Sequence, residues 1–170
     1  MNPWRRICDL APWLLLAVWS SLRLRCPDLW WNLSGARLLL EQGSFSSPRS
    51  LDFTSGHPWV NPEWLSQLIM FGTWKIGGPL AMAVLLFACF GYALHVMATI
   101  LRDRQQSDWF PALGCLFIWS SELRILTRPE MFSYVLLAFT ALSTHRKAWT
   151  PLKTAALFVL WSNLHMSFFL

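Results

Sequence analysis

Five apolar runs, at residues 10–24, 77–101, 109–126, 131–144 and 154–170, punctuate the chain, and a polar, aromatic segment at 26–76 separates the first from the second. Residues 77–101 carry no formal charge and exceed the roughly 20 residues a helix needs to cross a hydrocarbon layer. The other four are shorter, so each relies on flanking residues or neighbouring helices to span. Within the polar segment, two stretches have helical spacing of another kind. Over 29–42, Leu29, Leu33, Ala36 and Leu40 form one stripe with Asn32, Arg37 and Glu41 off it, the pattern of a helix lying in an interface. Over 62–76, Asn61 offers a cap, Pro62 suits a first turn that needs no backbone donor, and Gly77-Gly78-Pro79 supplies the stop. Residues 43–58 between them are rich in Ser, Gly and Pro and read as loop. The predicted fold is all-α: one integral membrane domain over 1–170, a polytopic helical bundle with about five transmembrane helices and two interfacial helices in its first outer loop.

Composition sharpens this picture. Of 170 residues, 55% are hydrophobic and 14% charged, and the mean hydropathy is +0.39, too apolar for an ordinary soluble domain. Twelve tryptophans exceed what a core requires, and Trp is favoured where an apolar ring meets a wet headgroup layer. The net charge of +5 is spread along the chain rather than clustered, so nucleic acid is not an expected partner. Cys8, Cys26, Cys89 and Cys115 have no metal-ligand spacing and read as small apolar residues. Arg5-Arg6 ahead of the first apolar run resembles a signal peptide, but no small-x-small cleavage site follows, which predicts an uncleaved anchor.

Charge also sets the expected orientation. With the N-terminus cytoplasmic, seven basic residues fall on each side of the membrane. The inner set, including Arg102, Arg104, Arg146 and Lys147, occupies short loops directly beside spans, where positive charge orients most strongly. The segment 28–65, the turn 122–130 and the far end of the last run then share the outer side.

Several residues in these outer segments are candidates for chemistry. Asp28 reads as a solvated acid or a helix cap, or else as a general base or a ligand for a divalent cation. No cation is required by the sequence, and the cofactor stays unassigned. Glu63 suits the positive end of a helix whatever its role, and beside Asp28 it would form a carboxylate pair with separated pKa values. Trp30, Trp31 and Trp59 bracket these acids, and Asn32 lies among them, giving a wall suited to a polar, lipid-linked substrate. Glu122, Arg124, Arg128 and Glu130 border short apolar runs, where ionisable groups are costly unless paired or facing a wet cavity. On a continuous helix Arg124 and Arg128 would share a face and clamp a phosphate; alternatively they pair with the neighbouring glutamates. Asn163 and His165 interrupt the last run two residues apart, consistent with a local break at the helix end. His95, alone within 77–101, is assigned to packing.

The order Asp28-Leu29-Trp30-Trp31-Asn32-Leu33, Gly35 and Gly43, Phe53-Thr54-Ser55-Gly56, Pro58-Trp59, Glu63-Trp64-Leu65, Arg128-Pro129-Glu130-Met131-Phe132-Ser133 and Leu160-Trp161-Ser162-Asn163-Leu164-His165 resembles bacterial multi-spanning class C (GT-C) glycosyltransferases, from about residue 28 onward. The resemblance implies transfer of a sugar from a polyprenyl-phosphate-linked donor at the extracytoplasmic face of a bacterial inner (plasma) membrane. It places Asp28 in the catalytic acidic position, Glu63 as a second loop carboxylate, and Arg124 or Arg128 on the donor phosphate. Relatives carry His where Asn32 stands, and they have more spans. The expectation is therefore an N-terminal portion of such a fold, completed by a second polypeptide or inactive alone. The competing expectation is a non-catalytic membrane subunit or scaffold that binds a partner or lipid headgroups through its aromatic outer loop.

Overall fold

The computed structural model describes residues 3–22, 26–44, 46–47 and 59–166. The fold is all-α. Helices α1 (Pro3–Leu22), α2 (Pro27–Gln42), α3 (Trp64–Asp103), α4 (Phe110–Ser120), α5 (Glu130–His145) and α6 (Pro151–Leu164) account for most of the described residues. Between α2 and α3, Ser46 pairs with Val60 and Ser47 with Trp59 in a short antiparallel contact.

Local chemistry sets the boundaries. Cys26 is extended, Pro27 follows at the first helical position, and α2 ends at Gly43, whose φ of 62° is cheap only for glycine and whose N–H bonds the Leu39 carbonyl. The Asn61 side chain accepts the Glu63 N–H at 3.2 Å, and α3 starts at Trp64, two residues later than the sequence predicts. At the predicted stop the backbone breaks rather than ends. Gly77 and Gly78 leave helical geometry, Gly78 at φ 53° and ψ −136°, Pro79 follows, and helix resumes beyond. The second outer-loop helix and the second apolar run are thus joined in one bent element.

Of the remaining runs, α5 covers its predicted span in full, whereas α4 and α6 end earlier than predicted. α4 stops at Ser120, short of 126, because a 3-10 turn at Glu122–Arg124 and an irregular stretch intervene before α5. α6 stops at Leu164, where His165 becomes extended; residues 167–170 lie outside the described residues. Among the described residues, one helix, Trp64–Asp103, is long and apolar enough to cross a membrane.

α3 is the hub, lying against α1, α2, α5 and α6. Leu16, Met82, Leu86, Phe90, Leu94 and Met131 are fully buried, and Phe90 sits on Tyr134 with ring centroids 4.5 Å apart. α1 meets α4 closely because Gly114 has no side chain: a Cβ there would stand 2.8 Å from the Pro12 ring. Gly35 does the same for α2 and α3, facing the Gln67 side chain. Large apolar side chains nevertheless remain exposed on α1, α3, α5 and α6, among them Leu14, Leu80, Val84, Leu137 and Val159. His95 is exposed on α3 and does not pack in the core, contrary to its assignment from sequence.

Candidate functional site at the helix ends

Three helices begin, and one ends, around a single polar basin. Asp28 lies in the first turn of α2, Glu63 caps α3, Glu130 opens α5, and His165 is the first residue beyond α6. Each acid therefore faces the positive end of a helix dipole, which favours a carboxylate there. Asp28, Trp31, Asn32, Glu63, Arg128 and His165 line the cavity with Pro129 and Glu130, and it encloses about 440 Å³, within the ordinary range for small-ligand sites.

The charged groups are already partnered. Arg128 Nε lies 2.6 Å from Asp28 Oδ2, both side chains being roughly half exposed, and the same nitrogen reaches the Cys26 sulfur at 3.4 Å. That contact with Cys26, followed by the fields of Asp28 and Glu130, holds the Arg128 guanidinium above its already high ordinary pKa, so it is a permanent cation. Arg124, outside the basin, pairs with Glu130 at 2.8 Å. The two arginines do not share a helical face, because the backbone between them is a 3-10 turn and an irregular stretch. The clamp expected from their four-residue spacing does not form, and Arg128 alone of the two lines the cavity.

Glu63 has a different setting. Burial raises its pKa, opposed by the nearby His165 and by a hydrogen bond from the Met166 backbone N–H. His165 Nε2 lies 3.5 Å from Glu63 Oε1, and on its far side Nδ1 lies 3.1 Å from Ser133 Oγ. Ser133 in turn accepts the Trp161 indole N–H at 3.0 Å.

Asn32 completes the wall. Its amide donates to the Asp28 carbonyl at 2.7 Å, while its side-chain oxygen is buried and has no partner among the described residues. A buried acceptor without a donor is costly, and here it borders the basin.

Other predicted residues stand elsewhere. Trp31 lines the basin, but Trp30 turns to the opposite side of α2 and meets Trp74 edge to face at 5.2 Å. Asn163 accepts the Trp64 indole N–H at 2.7 Å and donates to the Val159 carbonyl, so it braces α6 on the start of α3. The Trp59 side chain and the 52–58 segment lie outside the described residues.

Compared with known proteins, the chain matches no family, no curated protein and no solved structure. The site therefore has to be read from its own residues. Among the described residues, no group of three or more His, Cys, Asp or Glu side chains is arranged to hold a metal ion. Sequence reasoning gave no role to Cys26, Ser133 or Trp161. Spacing carried the signal for two of them: Ser133 is one turn after Glu130, and Trp161 one turn before His165, so each shares a face with a site residue.

Proposed function

We propose that this chain is a polytopic membrane protein, N-terminus cytoplasmic, whose basin is the extracytoplasmic site of a sugar transfer from a polyprenyl-phosphate-linked donor, as the resemblance to class C glycosyltransferases implies. The observation that supports it most is convergence: Asp28, Glu63, Arg128, Glu130 and His165, distant in sequence, line one cavity at the ends of apolar helices. The exposed apolar side chains on all six helices favour a lipid surrounding, since soluble monomers rarely expose large apolar patches. The shorter helices then need tilt, local thinning or neighbours to cross.

In this reading the donor phosphate takes Arg128 away from Asp28. The released carboxylate accepts the proton of an acceptor hydroxyl. The acceptor oxygen bonds to the anomeric carbon as the bond from that carbon to the phosphate oxygen breaks, and the electron pair leaves on the polyprenyl phosphate, whose charge Arg128 meets. Glu63 and His165 orient the acceptor hydroxyl, with the imidazole held in place by Ser133. A second polypeptide completing the fold belongs to the same proposal.

The test is transfer in proteoliposomes supplied with a polyprenyl-phosphate sugar and, if required, extracts providing a second chain. Asp28→Asn should lower transfer by about 10²–10⁴-fold, the usual contribution of a general base, with insertion unchanged. A silent Asp28→Asn, with partner or lipid capture lost on replacing Trp30 or Trp31, would instead establish the non-catalytic subunit reading.

A further inference from the structure

On the face of α2 opposite the basin, the Trp30–Trp74 pair separates two hollows that share it as a wall. One, of about 740 Å³, is mixed in character and carries the charged groups: Arg37, Glu41 and Lys75 line it with Leu33, Leu40, Phe71 and the two indoles. Arg37 is paired with Glu41 at 2.7 Å, and Lys75 holds its ammonium 5.4 Å from the Phe71 ring centre. Among the described residues Lys75 makes no ion pair, so the hollow carries one uncompensated positive charge. The other hollow, of about 600 Å³, is predominantly apolar, lined by Leu22, Cys26, Pro27, Leu29 and Pro79 with the same two indoles. Beside Lys75 along α3, Ile76 is 88% exposed and Leu80 75% exposed.

A cationic hollow joined through aromatic rings to an apolar one matches an amphiphile with an anionic head. Indole rings favour that boundary between headgroup and hydrocarbon, and a cation at the membrane surface attracts anionic lipid. We propose that α2 and the first half of α3 hold an anionic phospholipid of the surrounding bilayer, its phosphate at Lys75 and Arg37 and part of a hydrocarbon chain in the apolar hollow. The proposal rests on the membrane reading but not on glycosyl transfer. Trp30, which does not face the basin, thereby acquires a role.

The experiment is native mass spectrometry of the purified full chain, released from micelles containing phosphatidylglycerol or phosphatidylcholine, with sodium carbonate extraction of membranes as the control for integration. The expected result is retained phosphatidylglycerol, little phosphatidylcholine, and about tenfold weaker retention in Lys75→Gln/Arg37→Gln, with Lys75→Arg behaving as the parent. Both residues are exposed, so the neutral variants should fold, as their unchanged melting would verify. Equal retention by the double variant, or equal retention of the two lipids, would overturn the site. Competition by glycerol 3-phosphate as strong as by the lipid would make it a free-phosphate site, and displacement by polyprenyl phosphate alone would make it part of the donor path; either result removes the proposal. Release of the chain by carbonate would defeat the membrane reading itself, whereas integration without lipid preference defeats only this inference.

Discussion

Asp28→Asn separates a structural ion pair from a working one, because the two roles predict losses of different size in different assays. At 2.6 Å, two unit charges in a water-like medium attract by about 1.6 kcal/mol, before screening. Asp28 and Arg128 are 49% and 39% exposed, and pairs this wet contribute roughly 0.2–1 kcal/mol in double-mutant cycles. Losing the charge should therefore cost about 1 kcal/mol of stability or less. Asn keeps the shape of the side chain and an oxygen able to accept from Arg128. Loss of a general base, in contrast, costs about 10²–10⁴ in rate, or roughly 2.7–5.4 kcal/mol of barrier. The assay is a pair of measurements on one preparation: denaturant unfolding followed by tryptophan fluorescence, and transfer in proteoliposomes. A cycle with Arg128→Gln should give a stability coupling near the same 0.2–1 kcal/mol. A stability loss above about 3 kcal/mol that tracks the loss of transfer would refute the reasoning, since the pair would then be holding the fold.

The other predictions probe how the basin is held. Gly35→Ala should place a methyl against Gln67, which is buried and accepts from Asn61 at 2.6 Å; the disturbance passes through Asn61 to Glu63, so activity should fall more than thermal stability does. Gly114→Ala meets the rigid Pro12 ring at 2.8 Å rather than a flexible chain end, and should lower unfolding stability by about 1–3 kcal/mol, as overpacking does. Glu63 has a folded pKa above its unfolded value of about 4.3. Its contribution to stability is therefore fully present below that value and lost as pH rises through the folded one, and Glu63→Gln should flatten stability against pH over this window. His165→Gln removes an influence that lowers the Glu63 pKa, so the protonated-carboxyl infrared band assigned by Glu63→Gln should persist to higher pH.

The all-α class, the end of α2 at residue 42 and the break after residue 76 were legible, the last two because each rests on local chemistry: Gly43 in a left-handed conformation and Gly77-Gly78-Pro79 in a row; α2 itself starts at Pro27, two residues before the predicted start. The ends of α4 and α6 were not legible, because apolar composition continues past the points where the backbone turns, whereas α5 matches its predicted run to within one residue at each end. Nothing local in Glu122-Leu123-Arg124 announces a 3-10 turn in place of an α-helical one. Site membership was legible from polarity at the ends of apolar runs, which singled out Asp28, Glu63, Arg128 and His165. Pairing was legible in part: the alternative that these arginines pair with neighbouring glutamates holds for Arg124 and Glu130, whereas only the tertiary path of the turn sends Arg128 to Asp28. Asn32 was placed on the polar face of α2, yet it is buried, because the basin lies on that face.

The pairing has a consequence for how such a site would admit an anion. Three carboxylates border the basin, and an unscreened phosphate would be repelled unless their charge were already answered. Asp28 is answered by Arg128 and Glu130 by Arg124, while burial pushes Glu63 toward its neutral form. The starts of α2, α3 and α5 also aim positive dipole ends at the same space. A phosphate entering there can exchange with Asp28 at Arg128, and the negative charge it adds then rests on a displaced carboxylate that is half exposed and keeps its water. Arg128 is the pivot of that exchange, so Arg128→Lys, which retains charge but loses the planar fork, should weaken donor binding more than it weakens the fold.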